Sequence, residues 1–187
     1  KLLRKQRNLT IEKKETLIRN LNKYINKIKL YLPENPKKIV DIGCGLAILD
    51  VFLYNFYKKD DITFYLFDRH KIDKEIHYAY TENPSFYNNL EYSKEICIDN
   101  GIKEQNIQIV KASKENLSEL SNIDLVISTL AWGFHFPVSI YVKEVYDMIS
   151  PNGICILDVR KDEDLIELQK YFFDVFRIDT YTTVCFK

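Results

Sequence analysis

Short apolar runs alternate with amphipathic stretches along this chain. Ile39, Val40 and Ile42 form the first run, and residues 62–67, 107–110, 123–128 and 154–159 form four more. Runs of this length, rich in β-branched and aromatic residues and bounded by turn residues, predict buried strands. The intervening stretches carry apolar residues at helical spacing. A leading helix is predicted over residues 10–31, with Thr10 as N-cap and one face formed by Leu17, Ile18, Leu21, Tyr24, Ile25, Ile28 and Leu32. Residues 48–57 are apolar around most of a helix, as one packed on a sheet would be. Further helices are predicted over 87–99, stopped by Asn100 and Gly101; over 137–149, opened by Pro137 or Val138; and over 162–173, capped by Asp162. Pro151, Asn152 and Gly153 read as a turn before the fifth strand, and residues 173–178 and 181–186 as a terminal hairpin. Strands alternating with helices predict an α/β fold.

The first strand runs into D-I-G-C-G-L-A, residues 41–47. Gly43 and Gly45 let the backbone turn sharply and approach a ligand closely. Such a strand–turn–helix unit places a binding crevice at the carboxyl end of its strand. The nicotinamide pattern G-x-G-x-x-G puts its third glycine where this chain has Ile48, and this strand ends in an acid, Asp41. The second strand also ends in an acid, Asp68, about 20 residues beyond the glycines, a spacing that suits a βαβ unit. A carboxylate there accepts hydrogen bonds from both hydroxyls of a ribose.

Composition narrows the picture. The chain has 187 residues, enough for one well-cored domain. Its 27 basic and 27 acidic residues cancel, so no general electrostatic drive toward nucleic acid or anionic membrane is expected. Cys44, Cys97, Cys155 and Cys185 are widely spaced in apolar surroundings without a C-x-x-C pair, which favours reduced, buried thiols in a cytosolic protein over a zinc site. His70 and His77 could share a helix face but lack a third metal ligand. Residues 125–142 are nearly uncharged, but Gly133, His135 and Pro137 break the run, so a strand and a loop are expected rather than a membrane span. No signal peptide pattern is visible. Residues 1–7 form a basic run expected at a solvated end, and Lys1 in place of methionine suggests a start that is processed or cut from a longer chain.

The D-I-G-C-G-L-A run resembles motif I of the class I S-adenosylmethionine-dependent methyltransferases, with Ala47 where many members have a third glycine. I-D-L-V-I-S, residues 123–128, fits their motif IV, and the ending in a helix and two strands is typical of them. The resemblance covers residues 39–186. More narrowly, S-x-x-x-W-G-F-H-F-P-V from Ser128, L-D-V-R-K from Leu157 and S-F-Y-N-x-L from Ser85 look like bacterial sugar O-methyltransferases associated with surface polysaccharide pathways.

The resemblance implies a three-layer, Rossmann-like doubly wound sheet of about seven strands, mostly parallel with an antiparallel C-terminal strand. It implies an N-terminal helical segment, residues 1–36, and a methyltransferase domain, residues 37–187. The leading helix would lie beside the cleft or merely cover the sheet. The implied cofactor is S-adenosyl-L-methionine, bound by Asp41, Gly43, Cys44, Gly45, Asp68, Arg69, Ala112, Ser113 and Ser128. Trp132, Phe134, Tyr141 and Arg160 would face a small-molecule acceptor such as a sugar, and His135 would be the base for a hydroxyl or a structural histidine. Tyr78, Tyr80, Phe86, Tyr87 and Tyr92 would cap the adenine or a sugar ring, or form a hydrophobic cluster under a long loop. No metal, nucleic acid or membrane span is implied, and the expected location is cytoplasmic. An N-methyltransferase, an inactive cofactor-binding partner subunit and a nicotinamide oxidoreductase are the alternative readings.

Overall fold

The computed structural model describes residues 11–69 and 89–187. The basic run, the Thr10 cap, the His70 and His77 pair, and the expectations for Tyr78, Tyr80, Phe86 and Tyr87 lie outside those residues, as does most of S-F-Y-N-x-L. The seven strands are β1 (Lys38–Ile42), β2 (Thr63–Asp68), β3 (Ile107–Lys111), β4 (Ile123–Ser128), β5 (Ile149–Asp158), β6 (Asp174–Arg177) and β7 (Thr182–Phe186). They form one sheet in the order β3-β2-β1-β4-β5-β7-β6. β1 through β5 run parallel, and β7 is antiparallel to both β5 and β6. The order reverses between β1 and β4, the place where an open sheet parts to leave a crevice.

Alternation along the strands builds the two cores. Ile39, Leu125, Ile127 and Ile156 pack on one face with α1 (Ile11–Ile28), α2 (Ile48–Tyr57) and α3 (Leu90–Asp99). Val40, Val126, Cys155 and Leu157 pack on the other with α4 (Lys114–Ser118), α5 (Val142–Met148) and α6 (Asp162–Gln169). Strands covered on both faces are apolar at nearly every position, hence the continuous runs in the sequence. α1 is also tied to the hairpin loop. Lys27 Nζ donates to Asp179 Oδ2 at 2.5 Å and to Thr182 Oγ1 at 2.7 Å.

Several expected boundaries shift. α1 ends at Ile28 rather than near residue 31. α3 starts at Leu90, not residue 87, because Asn89 takes an extended conformation and its side chain accepts the Glu91 amide at 3.1 Å. The helix expected over 137–149 is split into a 3₁₀ turn, Val138–Ile140, and α5, with Tyr141 at φ −131° and ψ 0° between them. α6 stops at Gln169, and Asp162 is its first residue rather than its cap; Lys161 holds the cap position, and Asp162 instead pairs with Arg177 at 2.9 Å. The turn expected at residues 151–153 lies inside β5. The β4–β5 register jumps there from Ile123↔Ile149 to Leu125↔Ile154, so the extra residues form a bulge. The five-residue α4 has no counterpart in the expected elements.

All four cysteines are free and buried, and Cys155 and Cys185 sit opposite each other across β5 and β7. No helix among the described residues is long and apolar enough to cross a membrane.

Candidate active site

β1 hands the chain to α2 through a turn in which Gly43, Gly45 and Ala47 all have positive φ, at 80°, 53° and 55°. The Gly43 amide donates to the Phe67 carbonyl at 2.7 Å, fixing the turn to the end of β2. A side chain on Gly43 would meet Ala131: a Cβ there would stand 2.3 Å from the Ala131 Cβ. At Gly45 a Cβ would find no atom of the described residues within 4 Å, so that backbone borders open space among them. Ser93 of α3 clamps the turn from behind, its hydroxyl donating to the Gly45 carbonyl at 2.6 Å.

Asp68 ends β2 facing this turn. Its Oδ2 accepts the Gly45 amide at 2.9 Å and its Oδ1 accepts the Arg69 amide at 2.6 Å. The Arg69 guanidinium lies 5.0 Å from the Phe136 ring centre, a cation–π contact. The ring of Phe67 meets Tyr141 edge-on at 5.4 Å. Burial pushes the Tyr141 phenol above its ordinary range, against the pull of Arg69.

The loop after β4 forms the opposite wall. The Ala131 carbonyl accepts the amides of Phe134, His135 and Phe136, at 3.2, 2.8 and 3.1 Å. The Gly133 carbonyl accepts the Arg160 amide at 3.0 Å, and the Trp132 indole donates to the Val138 carbonyl at 3.0 Å. The Leu130 amide donates to Asp158 Oδ2 at 3.2 Å. These bonds hold the loop as a folded wall joined to β5.

Between the turn and this wall lies a crevice of about 240 Å³. Of the residues expected at the site, Gly43, Gly45, Asp68, Arg69, Ala112, Trp132, His135 and Tyr141 line it. His135 is solvent-exposed at its mouth. The others stand behind or beside it. Cys44 is buried in the turn. Ser113 caps α4, accepting the Asn116 amide at 3.1 Å. The buried Ser128 hydroxyl donates to the Ile42 carbonyl at 2.8 Å and accepts the Trp132 amide at 3.0 Å, joining β4 to the first strand. Phe134 packs on Tyr181 and under the Arg160 guanidinium, at 5.3 and 5.7 Å, on the outer rim.

Asp41 is buried on the α2 side of β1, and Asp50 in the first turn of α2 is buried beside it. The loop after β4, expected at the mouth of the crevice, lines it with Thr129, Leu130, Ala131 and Phe136 as well. Asp50 and the lining residues Leu46, Phe67 and Ile140 are not among the residues expected at the site; Leu46 adjoins Gly45 and Phe67 adjoins Asp68, so adjacency to the turn and to the strand end is the signal that points to them. Among the described residues, no group of three metal-ligating side chains comes together.

No family model matches the chain, and no curated protein matches it. Solved structures do. A candidate O-methyltransferase from Nostoc punctiforme superposes with a TM-score of 0.61 at 13% identity, over 88% of this chain and 54% of its own. The precorrin-6y C5,15-methyltransferase of Geobacter metallireducens gives 0.58 at 14%, over 89% and 87%. The S-adenosylmethionine-dependent methyltransferase SibL gives 0.56 at 15%, over 94% and 58%. The fold is that of the class I methyltransferases. The chain spans about half the length of the Nostoc protein, at 54%. At these identities the likeness speaks for the methyltransferase fold alone.

Proposed function

We propose that the protein is an S-adenosylmethionine-dependent methyltransferase acting on a hydroxyl of a small molecule, a sugar or sugar derivative. One observation carries the reading: the glycine turn, the Asp68 carboxylate and His135 face one crevice at the point where the strand order reverses. The antiparallel β7 between β5 and β6 departs from the all-parallel order of simple dinucleotide folds, which speaks against a nicotinamide enzyme.

The residues fit the proposed cofactor. The backbone at Gly45 borders open space that a nucleoside could enter, and Asp68 presents a carboxylate there for ribose hydroxyls. Leu46, Phe67 and Ala112 offer apolar walls for a base. When bound, S-adenosylmethionine supplies a methyl carbon already activated by a positively charged sulfur. The protein then has to orient the acceptor in line and exclude water. Trp132, Phe136 and Tyr141 dry the inner wall. A neutral His135 ring nitrogen takes the proton from the acceptor hydroxyl as the new C–O bond forms. An amine acceptor would need no base, and His135 would only orient it.

Calorimetry should show binding of S-adenosylmethionine and S-adenosylhomocysteine but not NAD; binding of NAD with no response to either sulfur ligand would refute the reading. The acceptor class is then read from S-adenosylhomocysteine release with a panel of sugars, against a panel of amines.

Asp68→Ala should weaken S-adenosylhomocysteine binding at least about tenfold, since each hydrogen bond to a charged carboxylate is worth about 1.5–3 kcal/mol. The thermal midpoint should fall only modestly, because the lost Gly45 amide bond is partly exposed. Unchanged affinity would remove Asp68 from the site.

A further inference from the structure

The least satisfied polar groups of the described core lie just beneath the glycine turn. Asp41 and Asp50 are 2% and 0% exposed. Asp41 Oδ1 and both Asp50 carboxyl oxygens are buried without a donor to accept from. Two ionised carboxylates have no hydrogen to share, and each buried unpaired charge is expensive. A single proton between them resolves both difficulties, supplying a carboxyl–carboxylate hydrogen bond and leaving one negative charge on the pair.

Among the described residues, no cation acts on the pair. Asp68 at the end of β2 acts on Asp41 by repulsion. The pair in turn acts on Cys44 in the turn and Cys97 of α3, and Asp41 acts on Tyr24 of α1. The Tyr24 hydroxyl is itself buried without a hydrogen-bond partner among the described residues, and it feels Asp158 as well as Asp41. The nearest cation on the crevice lining, Arg69, is turned onto the Phe136 ring. The buried charge beneath the glycine turn is therefore negative, and Coulomb forces act strongly through such a dry interior.

We propose that Asp41 and Asp50 form a one-proton acid pair that releases its proton when a sulfonium ligand enters the crevice, favouring S-adenosylmethionine over its uncharged-sulfur product. This inference rests on the methyltransferase reading. Asp50 is the specificity-determining residue: it does not line the crevice but sets the charge beneath it. The two ligands share an ammonium and a carboxylate and differ by one positive charge at sulfur. The second negative charge of the pair is thus favoured by one ligand and not by the other. The released proton goes to solvent on binding, and the pair takes one back when the product thioether remains.

The energetics place this exchange at working pH. Burial is the main cause that lifts the Asp50 carboxyl from 3.8 to about 7, and burial with repulsion from Asp50 lifts Asp41 as well. The folded chain therefore keeps a proton that the unfolded chain loses between about pH 4 and pH 7. Unfolding releases it, so stability falls as pH rises through that interval.

The test uses calorimetry of the intact protein in buffers of different ionisation enthalpy. Binding of S-adenosylmethionine should release about half a proton more than binding of S-adenosylhomocysteine at pH 7, because a carboxyl titrating at about 7 is half protonated there. The affinity for S-adenosylmethionine should rise about tenfold from pH 6 to pH 8, the span of one linked proton. Asp50→Asn keeps a donor for Asp41 and removes the titration. It should abolish the extra proton release, level the affinity between those pH values, and flatten the fall of the unliganded protein's thermal midpoint with pH. The ligands' own amines titrate alike in both proteins, so the difference between the proteins isolates the pair. Should Asp50→Asn not fold, a ¹³C-aspartate titration of the unsubstituted protein reads the same proton. A carboxyl titrating near pH 7 that ionises on S-adenosylmethionine addition supports the pair; all carboxyls titrating below pH 5 overturns it. Binding with equal proton release for both ligands, or release unchanged in Asp50→Asn, also overturns it. Failure of both ligands to bind would instead strike the methyltransferase reading.

Discussion

Replacing His135 with alanine should slow methyl transfer to a hydroxyl acceptor by about 10²–10⁴-fold, the usual weight of a general base. Cofactor affinity should stay within about twofold, because the glycine turn and Asp68 stand on the other side of the crevice. The loop should keep its shape. His135 is held through its backbone amide, bonded to the Ala131 carbonyl at 2.8 Å, and the substitution leaves that bond in place. What is lost is an exposed imidazole at the crevice mouth, packed at 5.2 Å on Phe134. The decisive measurement pairs a chemically identified acceptor with the single-turnover rate of the variant. A hydroxyl acceptor methylated at the normal rate by His135→Ala would end the base assignment.

Gly43→Ala should remove cofactor binding and destabilise the fold together. The added Cβ would stand 2.3 Å from the Ala131 Cβ, a separation that side chains do not tolerate. Neither partner can move freely. Gly43 is held by its amide bond to Phe67, and the carbonyl of Ala131 organises the opposite wall. Overpacking of this kind costs about 1–3 kcal/mol. Residence of a Cβ-bearing residue at φ +80° adds about 1–2 kcal/mol. Gly45→Ala is the contrast. Its Cβ clashes with nothing, so only the backbone term applies, yet the methyl would project where the ligand must approach. Denaturant unfolding beside S-adenosylhomocysteine calorimetry separates the two: Gly43→Ala should lose both stability and binding, Gly45→Ala mainly binding. Equal stability of Gly43→Ala and the parent would show that the wall yields more easily than its hydrogen bonds imply.

The sheet was legible because its strands are covered on both faces. Ile123, Leu125, Val126 and Ile127 have nowhere polar to point, so burial writes itself into a continuous run. The glycine turn and Asp68 were legible for a different reason, since backbone geometry at strand ends restricts residue type. Helix ends were less so. The extended Asn89 is set by its own side chain, which accepts the Glu91 amide, the non-helical Tyr141 packs edge-on to Phe67 of a distant strand, and residues 151–153 make a bulge because β5 continues past them against β4. Asp50 was illegible in principle. An acid in a helix's first turn ordinarily reads as a favourable charge at a solvent-facing end. Its burial becomes apparent only when Asp41, nine residues earlier, is brought to the same face. Ser128 shows the converse: a motif residue whose hydroxyl is spent on holding two strands together.

The placement of β7 has a consequence for how the chain is made. β6 leaves the ribosome before β7, yet among the seven strands its only neighbour is β7, which lies between it and β5. β6 therefore cannot join the sheet in the order of synthesis. The five parallel strands can assemble as they emerge, while β5 keeps one edge bare and β6 waits as an unpaired segment. β7 closes both gaps at once when it appears. Until residues 182–186 are delivered, the nascent protein carries an open sheet edge, and that interval is when a chaperone would have something to hold.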